Sequence, residues 1–364
     1  MKNLVFIEYP TTYWSDLLNE LHDQLNCEVY FIEPIAKHYN FNIKELENRA
    51  HFKFNYLKCI KIFNRQINKG IFPLIKKHQP QYIITREFAF ITLILVLQKH
   101  LLRRKYKIIV RCDDSYDMVK NKNEFSKLHR LARKILMPGV DNIILVEPRV
   151  VEWYKERYQK GILFPIIRKD EDFRQSLDKL INESNKLIIT HKLQGKKVIA
   201  FVGRFVKLKN IDILIKTFLS IDDKDTILLL IGDGEEKKLL ETQFNDNRII
   251  YTGSLQGNNL LAYYNCISIL ALLSDKEAFG AVTNEALLSG AKVLVSERAG
   301  SACLVTPQNG KIVDPYNQLL LTQQLKQLIS EVQPITFLKT IRPNYMPYSF
   351  DQTITNLIKG IKNS

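Results

Sequence analysis

Cysteine is scarce: Cys27, Cys59, Cys112, Cys266 and Cys303 are odd in number, widely spaced, and form no C-x-x-C pair. That speaks against a disulfide framework or a zinc site and makes a reducing cytoplasm the natural compartment. The seven histidines are scattered as well, with no H-x-x-x-H pair, which weakens a metal-enzyme reading. Long apolar runs are missing. The longest, Phe88 to Leu97, has ten residues and contains Thr92, about half of what a membrane span needs. The N-terminal stretch from Met1 meets Glu8 too early for a signal peptide and reads as a buried first strand. Glycine (14) and proline (12) are too few in 364 residues for a fibrous or low-complexity chain. With 46% apolar and 25% charged residues, disorder is also disfavoured, and the length suits two domains.

Positive charge is what the chain has in excess. The net charge is +15, and residues 1–165 carry +11 of it. Such an excess concentrates anionic partners, whether nucleic acid, anionic lipid or phosphorylated substrates, and says nothing of fold. Part of it is compatible with a genome that favours Lys, Asn and Ile codons.

Short β-rich apolar runs alternate with longer segments of helical period, the mark of a parallel α/β architecture. In the first half, strands are predicted at 4–8, 28–32, 82–85, 107–111 and 142–146, with helices at 13–25, 43–69, 88–102, 124–137 and 148–158. In the second half, strands fit 197–202, 226–231, 248–252, 268–272 and 292–296. Helices fit 211–220, 235–244, 257–265, 283–289 and 319–332. Right-handed crossovers wind each half into an open sheet whose ligand edge lies at the strand C-termini. The expected fold is α/β, with two doubly wound, Rossmann-like parallel-sheet domains facing a cleft. Their boundary is predicted between Phe164 and Asp172, where Pro165 interrupts a strand and charge follows.

Two segments carry chemistry. In the first, a strand ends at Val202, Gly203 allows a tight turn, and a helix begins near Asn210, so Arg204 and Lys209 lie beside a helix start. Two cations there suit a diphosphate: Arg offers bidentate hydrogen bonds and Lys a mobile charge. A solvated loop with incidental cations is the competing reading. In the second, Glu277 lies on a strand-to-helix loop and Glu285 about one turn inside the helix, with Phe279, Gly280 and Ala281 offering backbone N–H groups between them. The carboxylates can accept from sugar and ribose hydroxyls, and the amides can donate to sugar or phosphate oxygens. The bland alternative is a dipole-favoured first-turn acid and a solvated loop charge.

The ordered set Gly203-Arg204…Lys209, Ile231-Gly232-Asp233-Gly234, Tyr251-Thr252-Gly253-Ser254, Leu261-Ala262-Tyr263-Tyr264, Glu277…Phe279-Gly280…Glu285, Leu288-Ser289-Gly290-Ala291-Lys292-Val293 and Asn309-Gly310 resembles the GT-B glycosyltransferases. Within them it is most similar to the retaining family GT4, over roughly residues 197 to 315. The resemblance implies that Arg204 and Lys209 bind the donor diphosphate and stabilise its departure. It implies that Glu277, with the backbone of Phe279, Gly280 and Ala281, holds the donor sugar, and that Glu285 holds the ribose. Gly232 would border the donor, and the turn Gly253, Ser254, Leu255 would line the base. No divalent metal or other cofactor is then required, and no convincing D-x-D metal pair is present. The nucleotide-diphosphate sugar is a co-substrate.

The resemblance also implies the domain plan: residues 1–165 an acceptor-binding domain, 166–345 a nucleotide-sugar-binding domain, and 346–364 a C-terminal helix packing back on the first. The first half departs from the family pattern. After the first strand it reads Glu8-Tyr9-Pro10-Thr11-Thr12-Tyr13-Trp14, with no glycine to bring backbone amides to a phosphate. After the strand at 107–111 stand Asp113 and Asp114. Asp113 is the candidate for orienting the acceptor hydroxyl or taking its proton, with a helix N-cap as the alternative for either residue. Two basic stretches, Lys58 to Lys77 and Lys99 to Lys107, mix cations with bulky apolar residues, as helices on anionic membranes do. An ordinary amphipathic helix packed on its sheet, with its charges in water, is the competing reading.

The expected function is retaining transfer of a sugar from a nucleotide-diphosphate donor to a glycan or lipid-linked acceptor in bacterial surface polysaccharide or lipopolysaccharide synthesis. The expected location is cytoplasmic, peripheral to the inner face of the membrane. The alternatives are a GT-B-shaped sugar-nucleotide epimerase or phosphorylase, and a basic nucleic-acid-binding protein. The first would need dedicated acid and base groups at the sugar, or a PLP lysine. The second would need a reader motif that the chain does not display.

Overall fold

The computed structural model describes residues 1–34, 43–62, 65–120 and 126–364. The chain divides into two compact units, one of Met1–Ile166 with Asp351–Ser364, the other of Ile167–Phe350.

The first unit runs β1 (Asn3–Ile7), α1 (Thr12–Leu25), β2 (Cys27–Phe31), α2 (Ile43–Arg49), β3 (Asn55–Tyr56), β4 (Lys58–Ile62), β5 (Arg65–Lys69), α3 (Ile71–His78), β6 (Tyr82–Arg86), α4 (Phe90–Leu101), β7 (Lys107–Cys112), α5 (Tyr116–Lys120), α6 (Lys127–Leu136), β8 (Asn142–Leu145), α7 (Pro148–Tyr158) and β9 (Ile162–Leu163). Its seven-stranded parallel sheet has the order β3-β2-β1-β6-β7-β8-β9. The central strands are near-continuous apolar runs, as strands covered on both faces must be. Leu4, Ile83, Ile108 and Ile143 are fully buried in one core with Leu95, Val150 and Tyr154.

One sequence expectation fails here. Residues 43–69 do not form one helix: after α2, β4 and β5 pair as an antiparallel hairpin with Ile60 opposite Ile67. Of the helix predicted at 124–137, the described part is α6. In the basic stretch 58–77, Phe63 and Asn64 lie outside the described residues, and its last cations belong to α3.

The second unit runs α8 (Asp170–Asp178), α9 (Ile181–Thr190), β10 (Lys197–Val202), α10 (Ile211–Leu219), β11 (Thr226–Ile231), α11 (Lys237–Gln243), β12 (Ile249–Gly253), α12 (Gly257–Tyr264), β13 (Ile269–Leu272), α13 (Val282–Leu288), β14 (Lys292–Ser296), β15 (Gly310–Val313) and α14 (Gln318–Glu331). The final helix, α15 (Phe350–Lys362), returns the chain to the first unit, where Asn142 donates to the Ser364 hydroxyl at 3.0 Å. The second sheet is parallel, in the order β12-β11-β10-β13-β14-β15. Chain order reverses between β10 and β13, the point at whose C-terminal strand ends an open α/β sheet is expected to bind its ligand. Both chemistry-bearing segments follow those two strands. Among the described residues, no helix is long and apolar enough to cross a membrane.

Candidate active site

The C-terminal edge of the second sheet is tied together by its backbone. Gly203 N–H donates to Ile231 O (3.0 Å), Phe205 N–H to Asp233 O (2.8 Å) and Gly232 N–H to Gly253 O (2.9 Å). The loops after β10, β11 and β12 therefore form one layer. Gly232 is where this packing is tightest: a Cβ would lie 1.8 Å from the Gly203 carbonyl oxygen, at a φ of +152°. Across the strand-order reversal, Asp275 N–H donates to Leu208 O (2.8 Å) and the buried Asn210 amide to Leu273 O (2.9 Å). The loops after β10 and β13 are thus held to each other at the point where a ligand crevice is expected.

At that junction the Lys209 ammonium donates to the Glu277 carboxylate. The two residues stand on different loops, and their side chains are mostly buried (17% and 19% exposed). Arg204 is exposed on the same loop as Lys209, and among the described residues it has no ion-pair partner. The structure therefore brings Lys209 to Glu277 and leaves the Arg204 head in solvent.

Beyond Glu277 the chain turns through Gly280 (φ +94°), where a Cβ would meet Leu272 at 2.5 Å and Ser301 Oγ at 3.0 Å. Any side chain there would close the turn. The Phe279 ring is buried, so only its backbone is available to a ligand. The carbonyls of Glu277 and Phe279 accept from Gly300 and Ser301 of the loop after β14 (3.2 and 2.7 Å). Among the described residues, none of the N–H groups of Phe279, Gly280 and Ala281 donates to a backbone carbonyl. They lead into α13, whose positive end favours negative charge.

Glu285 lies in the first turn of α13 and is 8% exposed. Its Oε2 accepts from the Tyr264 hydroxyl at 2.7 Å, and its Oε1 lies 3.7 Å from Arg168 Nη1. Arg168 is buried too, and its N–H donates to Asn284 Oδ1 at 2.8 Å. These partners of Glu285 escape sequence reasoning. Tyr264 is visible there only as part of a landmark, and Arg168 only as one charge in the interdomain stretch. Gly253 ends β12, and Ser254 and Leu255 follow it, with Ser254 exposed.

In the first unit, Asp113 follows β7 and accepts from Arg111 Nη1 at 3.2 and 3.4 Å. The Arg111 guanidinium also lies over the Trp14 ring, 3.9 Å from its centroid. Desolvation by the surrounding groups, and next to it the Asp114 charge, hold the Asp113 carboxyl above its ordinary value despite Arg111, although its side chain is 38% exposed. Asp114 has a different place: it is buried and accepts from Arg133 (3.2 Å) and the Tyr154 hydroxyl (2.7 Å). The capping contact at α5 comes from Ser115, whose hydroxyl accepts from Met118 N–H at 3.3 Å. Thr11 precedes α1 without a capping bond, and its buried hydroxyl oxygen has no partner among the described residues.

Residues 183–334 match the family model described as glycosyl transferases group 1. The chain is 24% identical over 370 residues to an uncharacterized glycosyltransferase of Methanocaldococcus jannaschii, covering 96% of this chain and 89% of that protein. Among solved structures it is similar to HepE of Anabaena in complex with UDP, with a TM-score of 0.69, 16% identity, and 91% and 89% of the two chains covered. It is also similar to the apo form of the lipopolysaccharide outer core galactosyltransferase WaaB, with a TM-score of 0.67, 15% identity, and 100% and 99% covered. Two parallel-sheet α/β units with these neighbours make the fold GT-B, and the second unit carries the segment that matches the group 1 glycosyl transferases.

Proposed function

We propose that the protein is a nucleotide-sugar-dependent glycosyltransferase that works with retention and without a metal ion. It moves a sugar from a nucleoside diphosphate to a glycan or lipid-linked acceptor of bacterial surface polysaccharide or lipopolysaccharide, at the cytoplasmic face of the membrane. The observation that carries this reading is the meeting of Lys209 and Glu277 across the strand-order reversal, beside the backbone donors of residues 279–281. In this reading Arg204 and Lys209 take the diphosphate. Lys209 is already fixed by Glu277, so it loses little freedom when the phosphate arrives. As the glycosidic bond breaks, charge gathers on the leaving β-phosphate, where fixed cations and N–H dipoles act most strongly. Glu277 accepts from a sugar hydroxyl, Glu285 from the ribose, and the turn at Gly253–Leu255 lines the base beside Gly232. Asp113 orients the acceptor hydroxyl, and its raised carboxyl suits a proton acceptor. The acceptor attacks on the face that the nucleotide leaves. The UDP complex of HepE and the galactosyltransferase WaaB support a nucleotide-sugar donor and a lipopolysaccharide-type acceptor.

Turnover of UDP-, GDP-, ADP- and TDP-sugars by Arg204→Ala and Lys209→Ala is the direct test. Each variant is expected to lose about 10²–10³ in kcat. Arg204→Ala should melt close to the unsubstituted protein, because its side chain is exposed, whereas Lys209→Ala also leaves the mostly buried Glu277 carboxylate without its cation and should melt lower. Near-normal turnover in both would overturn the assignment.

A further inference from the structure

Helix α6 is amphipathic in the reverse sense. Its inward side chains include Arg133, which is 6% exposed, pairs with Asp114 at 3.0 Å and lies 5.2 Å from the Phe88 ring centroid. Its outward stripe is aliphatic: Leu128, Leu131 and Ile135 are 60%, 53% and 60% exposed. Their spacing of three and then four residues places them on one helix face. Lys127, Arg130 and Lys134 each precede one member of that stripe and are exposed, and no acid lies between Lys127 and Gly139.

The neighbouring helix α4 buries one apolar face, with Ile91, Leu95 and Val96 in the core, and carries a second one outward. Phe90, Leu97 and Leu101, spaced seven and four apart, are exposed on one of its faces. Leu102 is also exposed, followed by Arg103, Arg104 and Lys105, and α4 carries no acid. An ordinary surface helix turns its apolar stripe to the core and its charges to water. Here two adjacent helices carry, besides the side chains they bury, an aliphatic face that is exposed together with cations.

We propose that the outward faces of α4 and α6 form a docking surface for an anionic phospholipid bilayer. The aliphatic stripe would sit at the acyl boundary and the flanking cations among the headgroup phosphates. Charge complementarity selects this occupant. A second copy of the chain, related by a two-fold axis, would set Lys127, Arg130 and Lys134 against cations of its own kind, which an isologous contact penalises. A bilayer rich in anionic lipid rewards the apolar stripe and the cations together. Arg133 gives the surface a link to chemistry, because its Asp114 partner is the chain neighbour of Asp113. The inference deepens the acceptor side of the function proposed above, since a lipid-linked acceptor is met at such a surface. Its test reads binding without sugar donor, so the two readings fail separately.

The full-length protein is floated with vesicles of phosphatidylcholine alone and with phosphatidylcholine and phosphatidylglycerol at roughly two to one. Binding to the anionic vesicles, weak binding to the neutral ones and release by salt are expected. Leu128→Ser/Leu131→Ser/Ile135→Ser is expected to bind at least about a hundredfold more weakly, at roughly tenfold per side chain withdrawn from the acyl boundary. Its melting temperature should be unchanged, because the three side chains are exposed. Lys127→Glu/Lys134→Glu is expected to lose the preference for anionic vesicles. Wild-type flotation by the triple variant, or equal binding of the unsubstituted protein to both vesicle types, overturns the proposal. So does a dimer that the triple variant splits while neither protein floats, or binding of duplex DNA without binding of vesicles.

Discussion

Glu285 shows how little freedom a side chain at this site has. Its carboxylate is buried at the positive end of α13, one oxygen accepts from Tyr264, and the other faces Arg168. A carboxylate held from two sides presents its remaining lone pairs in one direction, which suits the recognition of a ribose hydroxyl. A charge-assisted hydrogen bond is worth about 1.5–3 kcal/mol, or roughly 10- to 150-fold in affinity. Glu285→Gln is therefore expected to weaken binding of free nucleoside diphosphate by about that factor in calorimetry. Tyr264→Phe keeps the charge and removes only the orienting bond, so its loss should be smaller. Glu277→Gln should leave nucleotide affinity near normal, because the amide oxygen can still accept from Lys209, and should lower transfer, because the proposed ligand of this side chain is the sugar. A melting curve for each variant separates lost contacts from lost stability, since Arg168 is left with a weaker partner in Glu285→Gln. Loss of nucleotide binding in Glu277→Gln, with binding retained in Glu285→Gln, would reverse the site map. The sequence makes the places of Lys209 and Glu277 on strand-to-helix loops, and of Glu285 in a first helical turn, legible, because strand ends and helix starts have local signals. The pairs Arg168–Glu285 and Arg133–Asp114 are not legible, because each joins segments far apart in the chain and no local pattern marks them.

Among elements, the legible ones have a single strong signal. The strands at 197–202, 226–231 and 292–296 are read with the bounds that the structure has, since each is a short apolar run closed by glycine, serine or a charged residue. The misread ones had competing signals. The run from Lys58 to Lys69 mixes cations and isoleucines in a pattern compatible with either period, and tertiary context makes it a hairpin. Helices α8 and α9 have no counterpart in the sequence reading: Phe173, Leu177, Leu180, Ser184 and Ile188 are buried at helical spacing, but in a stretch whose acids mark a boundary. The knitted loops after β10, β11 and β12 give a prediction at this scale. Gly232 and Gly195 both have positive φ, yet a Cβ at Gly232 would strike the Gly203 carbonyl, whereas one at Gly195 meets nothing within 4 Å. Gly195→Ala should cost only the backbone strain, about 1 kcal/mol. Gly232→Ala should cost at least about 3 kcal/mol, because two backbone segments must part. For a unit of this size that is a fall in Tm of roughly 6–12 °C. Equal losses in the two variants would mean that the loop layer is looser than the structure has it.

For the whole molecule, acid should weaken both units through histidine. His78 in the first unit is 8% exposed at the end of α3, with its Nε2 3.2 Å from Glu28 Oε2. Burial holds its pKa below the ordinary value, Glu28 pulls the other way, and Lys77 adds to the fall. In the second unit His191 meets the Tyr263 hydroxyl at 2.7 Å, and burial depresses it as well. Both rings bind a proton less readily folded than unfolded. Their contribution is therefore complete above the unfolded value of about 6.5 and is lost as the pH falls toward the folded value. The slope cannot exceed roughly 1.4 kcal/mol per pH unit for each ring. Glu147, whose carboxyl burial pushes up, acts in the opposite sense at lower pH, because the folded chain takes that proton first. Between pH 7.5 and 5.5 the histidines should govern, and urea midpoints should fall. In His78→Gln/His191→Gln the fall should be distinctly smaller. The net charge of +15 complicates the comparison, since further protonation adds self-repulsion throughout the chain. Raising the ionic strength screens that repulsion and leaves buried rings nearly untouched. A fall in the midpoint that salt abolishes would assign the acid sensitivity to net charge. A fall that persists in salt and shrinks in the double variant assigns it to His78 and His191.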